Sequence, residues 1–213
     1  MSIEDFSKYV LGYVQNFADT NAKPQEALKF QPDAVAELFF ESFEKAGEAF
    51  SEPRYLEFIR PDEGKFANFS RLVCTGTQEH IVWDQAGKGV SKLFRFLALY
   101  PGSEPVDVAA LYKSHAERVF SSAHKGKDSV YRYVQSWPLA QAQAVFSTLV
   151  PVFCIEEFWL SDDMAQAAKI SFMQELEAFQ SLPDIVDIKN SFVVSAVEKS
   201  VVEPVSAALM QSI

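Results

Sequence analysis

Cysteine is scarce in this chain: Cys74 and Cys154 are the only two in 213 residues. They lie far apart among apolar neighbours, which excludes a disulfide-stapled scaffold and leaves two buried free thiols as the expectation. Histidine is nearly as rare. None of His80, His115 and His124 has a glutamate three positions before it, so the Glu-x-x-His pairs of a carboxylate-bridged di-metal bundle are missing. Glu79, His80 and Asp84 could share one helical face, but no second cluster supplies the rest of a metal shell. Long apolar runs are lacking too. In the most apolar stretch only Leu149 to Ile155 is free of polar residues, whereas a helix needs about 20 apolar residues to cross a bilayer. The N-terminal Ser2-Ile3-Glu4-Asp5 is acidic and has no signal-peptide character. A soluble, cytoplasmic protein with no membrane contact is the expectation.

Catalytic signatures are absent in the same way. There is no Gly-x-Ser-x-Gly elbow. Cys74, with Arg71 and His80 near it in sequence, lacks the spatial partners that a reactive thiolate needs. Gly87-Lys88-Gly89 offers glycine amides and a lysine, but a phosphate loop requires Ser or Thr directly after the lysine. The sequence therefore points to no cofactor and to no family.

What is present is core material. The chain is 48% hydrophobic and 14% aromatic, with 19 Phe, enough for one large domain spanning residues 1–213. Leu139 to Leu160 reads as the organising element, a helix apolar nearly all round and kinked at Pro151. Three- and four-residue spacings elsewhere suggest further helices: Phe6 to Phe17, Val35 to Phe50, Leu93 to Tyr100, Val106 to Phe120, Val130 to Val134, Ala165 to Phe179 and Val193 to Val205. Residues 51–89 are ambiguous, with short helices or a small β-hairpin near 54–84. These elements predict an all-α, single-domain bundle of about nine helices around a central kinked helix.

Charge is unevenly distributed. Residues 1–63 hold 13 acids and 6 bases, residues 64–136 hold 6 acids and 10 bases, and residues 137–213 hold 10 acids and 3 bases. A net charge of −10 disfavours nucleic acid, whose binding rests on phosphate neutralisation. The basic middle is the exception. A helix starting near Gly89 would place Lys88, Lys92 and Arg95 on one side, with Lys125 and Lys127 in a second group followed by Arg132. This patch could receive an anionic ligand or an acidic protein; alternatively, its charges face the acidic ends of the same chain or of its dimer mate. The Val-rich C-terminal helix, with Ile185, Ile188, Phe192, Val193, Val197 and Val201, carries more apolar surface than one stripe needs and suggests a homodimer. A non-enzymatic regulatory protein with an acidic surface, acting through protein–protein contacts, is the leading functional expectation. The alternative is a bundle holding a small ligand, with or without turnover, in an aromatic-lined cavity beside Pro151.

Overall fold

A computed structural model of the chain describes residues 8–19, 32–85, 91–99, 102, 109–110, 112–114, 130–145, 152–161, 186–187 and 190–202. Its centre is an antiparallel β-sheet, not a helical bundle. The strands are β1 (Val10–Ala18), β2 (Ala34–Phe40), β3 (Thr77–Asp84), β4 (Ser91–Ala98), β5 (Val130–Pro138), β6 (Val152–Leu160) and β7 (Phe192–Val202). They line up in one seven-stranded sheet in the order β2-β1-β7-β4-β6-β5-β3. Helical structure among the described residues is short: α1 (Phe43–Ser51), a π-helical turn at Tyr55–Ile59, α2 (Arg60–Glu63), a 3-10 turn at Phe69–Arg71 and α3 (Ala140–Val145).

The all-α expectation fails for a definite physical reason. A strand covered on one face alternates apolar with polar, but a strand covered on both faces is apolar throughout and loses that signature. From Lys92 to Ala98 every residue of β4 is buried, and β6 is almost as enclosed. The stretch Leu139 to Leu160 accordingly divides into helix α3 and strand β6. Pro151 lies outside the described residues. The stripe read as Phe6 to Phe17 overlaps β1, and the one read as Val35 to Phe50 overlaps β2 and then α1, which Ser42 caps by accepting from the Lys45 amide. The hairpin near 54–84 is also corrected: residues 55–63 are helical, and β3 pairs with the distant β5. Residues 109–110 and 112–114 are helical as expected, while the helix expected over Ala165 to Phe179 lies outside the described residues. Among the described residues the stretch expected as a dimer helix is strand β7 over Phe192–Val202; Val197 and Val201 are about half exposed on that strand. Among the described residues no helix is long and apolar enough to cross a membrane.

The sheet is curled into a half-barrel. Strands β2 and β4 are three places apart in the order, which in a flat sheet is about 14 Å. Yet Lys92 on β4 reaches Glu37 on β2 at 2.6 Å, so the face carrying these side chains is concave. Phe94, Phe96, Val152, Phe192, Val194 and Ala196 form the apolar part of that inner face, with Val73 packed on it. The outer face carries two clusters. Leu93, Val130, Tyr133, Phe158 and Leu160 form one; Leu97, Tyr112, Phe153, Cys154 and Val186 form the other. Cross-strand aromatic pairs clamp both faces. Phe96 stacks on Phe192, and Tyr133 on Phe158, each with ring centroids 4.4 Å apart. Where β3 begins, Gly76 lies under Ala142 and Phe43; an added Cβ would come within 3.0 Å of the Ala142 methyl. Gly76→Val should therefore force α3 or α1 away from the sheet.

Candidate functional site

The inner face carries a buried polar cluster assembled from strands that are distant in sequence. At its centre Lys92 is 2% exposed. Its Nζ lies 2.6 Å from Glu37 Oε2, 2.8 Å from Glu157 Oε2 and 3.8 Å from Glu198 Oε2. The ammonium also sits over two rings, 4.1 Å from the Trp159 centroid and 4.6 Å from that of Phe94. These cation–π contacts replace part of the hydration that burial removes. Each carboxyl has further support. Asn16 Nδ2 donates to Glu37 Oε2 at 2.6 Å, Ser136 Oγ donates to Glu157 Oε1 at 2.8 Å, and Trp159 Nε1 donates to Glu198 Oε2 at 3.0 Å. Towards the edge of the sheet the cluster opens into partly exposed Arg132, Glu79 and Asp84, with Arg132 3.9 Å from each acid. Lys92 stands where the three carboxyls converge, the position a metal would need. Among the described residues no group of three or more His, Cys, Asp or Glu is arranged to hold one.

The charges differentiate the two central acids. Burial, then the nearby Glu157 charge, pushes the Glu37 carboxyl up to about 8. For Glu157, burial is the largest influence and acts upward, but the Lys92 charge and hydrogen bonds from Glu37, Lys92 and Ser136 together overcome it and hold the carboxyl below its usual range. Burial alone would lower the Lys92 ammonium; the Glu157 and Glu37 charges reverse that and keep it raised. Glu37 thus carries a proton near neutral pH and Glu157 does not, the separation that equips a carboxyl pair for acid and base roles. Glu37 Oε2 accepts from both Asn16 and Lys92.

A pH dependence follows from Glu37. Below its usual value of 4.5 the carboxyl is protonated in both folded and unfolded chains. Between 4.5 and about 8 only the folded state keeps the proton, so this group's contribution to stability declines as pH rises through that window. The slope from one such group reaches about 1.4 kcal/mol per pH unit. Thermal unfolding followed from pH 5 to 8 should show Tm falling more steeply in the native protein than in Glu37→Gln. Identical slopes would remove the buried proton from the account.

The structure separates the residues that the sequence grouped as a basic patch. On a strand, positions three apart point to opposite faces, so Lys92 faces inward and Arg95 faces outward. Both are buried against acids, Arg95 with Glu156 at 3.3 Å. Lys88, Lys125 and Lys127 lie outside the described residues. Missed in the sequence were Glu37, Glu157 and Glu198 as partners of Lys92. The helix expected over Val35 to Phe50 would leave Glu37 off its apolar stripe, and Glu156-Glu157 fall near the end of the separate helix expected over Leu139 to Leu160. The available signal was the adjacency of two acids inside an apolar run, which on a doubly covered strand sends one charge to each face.

Residues 2–70, about a third of the chain, match the EthD domain model. That segment contributes Asn16 and Glu37 to the cluster, while Lys92, Glu157 and Glu198 lie beyond it. No curated protein matches the chain. Among solved structures, a crystal structure of a Lactobacillus acidophilus NCFM protein assigned as a monooxygenase aligns with 92% of this chain and 80% of its own, at 9% identity and a TM-score of 0.49.

Proposed function

We propose that this protein binds a small organic molecule on the concave face of the sheet and exchanges a proton with it through Glu37. The observation that carries this is the Lys92 cluster: a buried lysine ordering a protonated carboxyl and an ionised one beside the Trp159 ring. General acid–base chemistry needs a proton held near the working pH within reach of solvent or substrate, and Glu37 is 14% exposed. Five carboxyls (Glu37, Glu79, Asp84, Glu157 and Glu198), of which Glu37 carries a proton near neutral pH, face two cations (Lys92 and Arg132) here. That balance favours a neutral or cationic ligand over an anion.

This reading replaces the expectation of a non-enzymatic interaction protein with its small-ligand alternative. The EthD match and an acid–base cluster on the inner face do not fit a protein whose only asset is a solvated acidic surface. The all-α, Pro151-centred form of that alternative falls with the helical bundle; the aromatic element kept from it is Trp159 with Phe94. The test is a fragment screen with cationic, neutral and anionic aromatic members, followed by tryptophan fluorescence. Expected hits are neutral and cationic, and Glu37→Gln should change the proton uptake that accompanies binding, measured by calorimetry in two buffers. A set of hits dominated by anions, or none sensitive to Glu37→Gln and Trp159→Phe, would overturn the proposal.

A further inference from the structure

The second polar cluster lies on the opposite face, and the chemistry above makes no use of it. Consecutive residues Glu157 and Glu156 point to opposite sides of β6. In the strand register Glu156 lies directly between Arg95 of β4 and Gln135 of β5, so three polar side chains stand abreast on three neighbouring strands. All are buried, with Arg95 3% exposed, Glu156 2% and Gln135 0%. Glu156 Oε1 is well supplied, accepting from Tyr112 Oη at 3.0 Å and from Tyr133 Oη. Gln135 Nε2 donates to Tyr133 Oη at 2.9 Å. Burial, reinforced by the Glu156 charge, holds both phenols well above their ordinary values; they are donors here.

What remains is one donor and two acceptors. Among the described residues Arg95 Nη2, Glu156 Oε2 and Gln135 Oε1 have no hydrogen-bond partner; the 3.3 Å approach of Nη2 to Oε2 is an ion pair without hydrogen-bond alignment. Orphaned buried polar atoms are rare and costly, and three of them on adjacent strands call for a common partner. That partner must accept from Arg95 and donate to Glu156 or Gln135. A hydroxyl does both. The formal charges of Arg95 and Glu156 cancel, so an ion entering this fully buried place would lose its hydration without gaining a counter-charge. The neighbours are aromatic: Tyr133 lies on Phe158, and Tyr112 is edge-on to Trp137 and Phe153.

We infer that Arg95, Glu156 and Gln135 form a second binding site, on the helix-bearing outer face, for a neutral hydroxyl, either an internal water or the hydroxyl of an uncharged organic molecule. The site stands independently of the inner-face proposal, because it shares no residue with it.

The test is a crystal structure of the full chain showing ordered water, collected with and without phenol as the organic probe. Density within hydrogen-bond distance of Arg95 Nη2, Glu156 Oε2 and Gln135 Oε1 is expected in both. A water that survives phenol identifies an internal-water site; replacement by the phenol hydroxyl identifies an organic-ligand site. Gln135→Met, which keeps the volume and removes one of the two acceptors, should lower the occupancy of that density. If phenol is the occupant, the variant should also weaken its binding in solution by roughly tenfold, the worth of about one hydrogen bond. Arg95 turned directly onto Gln135 with no density between them would overturn the inference. So would density of undiminished occupancy in Gln135→Met.

Discussion

Lys92→Met is expected to lower the unfolding free energy by about 3–5 kcal/mol, because removing one member of a buried ion pair leaves the other charge uncompensated. The expectation is strong here because the cation serves two carboxyls at once, Glu37 at 2.6 Å and Glu157 at 2.8 Å. For a chain of this length each kcal/mol corresponds to about 2–4 °C in Tm, so the melting point should fall by about 10 °C. The loss has a pH signature. Protonating the carboxyls makes the missing cation less costly, so the gap between Lys92→Met and the native protein should narrow as pH falls through the carboxylate range. A double variant, Lys92→Met with Glu157→Gln, should recover much of the loss, since contacting residues are not additive. Urea unfolding of the native protein, both single variants and the double would measure the coupling. Additive losses would mean that the buried pair contributes nothing as a pair.

Phe158→Ala should cost a similar amount, about 3–5 kcal/mol. The ring is 0% exposed and lies against Leu93, Val130 and Leu160 in the outer-face cluster. It also stacks on Tyr133 at 4.4 Å with an interplanar angle of 13°, an arrangement worth about 0.5–1.5 kcal/mol beyond its area. The strands around it are paired on both sides, β6 between β4 and β5, so the site cannot collapse to refill the void. Phe158→Leu, which keeps most of the volume, should cost less than half as much. Chemical denaturation of both variants tests this. Equal losses would show that aromatic stacking rather than volume dominates, and a loss below about 1 kcal/mol for Phe158→Ala would show that the cluster repacks.

These two residues also show why the sequence misled. Phe158 lies in a run whose apolar residues satisfy helical spacing, yet it is paired across strands. In β7, Val193, Val194, Val197, Val201 and Val202 are β-branched and favour a pleated surface; that composition was the available strand signal, and three- and four-residue spacing hid it. Lys92 and Arg95 looked like one basic stripe because helical spacing puts them together, whereas a strand sends them to opposite faces. On β4 and β6, covered on both faces, there is no polar phase to distinguish period two from period 3.6, whereas β1, β2 and β7 alternate in burial.

The sequence by itself determined the scale of the core, the two unbridged thiols (Cys74 half-buried, Cys154 fully buried), the excess of acid and the concentration of bases in the middle third. It also determined local features such as the Ser42 cap of α1, because these depend on composition or on residues a few positions apart. Only the tertiary structure decided that Glu37, Lys92, Glu157 and Glu198 meet, and that Arg95, Glu156 and Gln135 stand abreast behind them. Lys92 and Glu37 are 55 positions apart in the chain. What joins them is the curl of a seven-stranded sheet, set by strand order and register, and pairing over such distances leaves no periodic trace in the residues that take part.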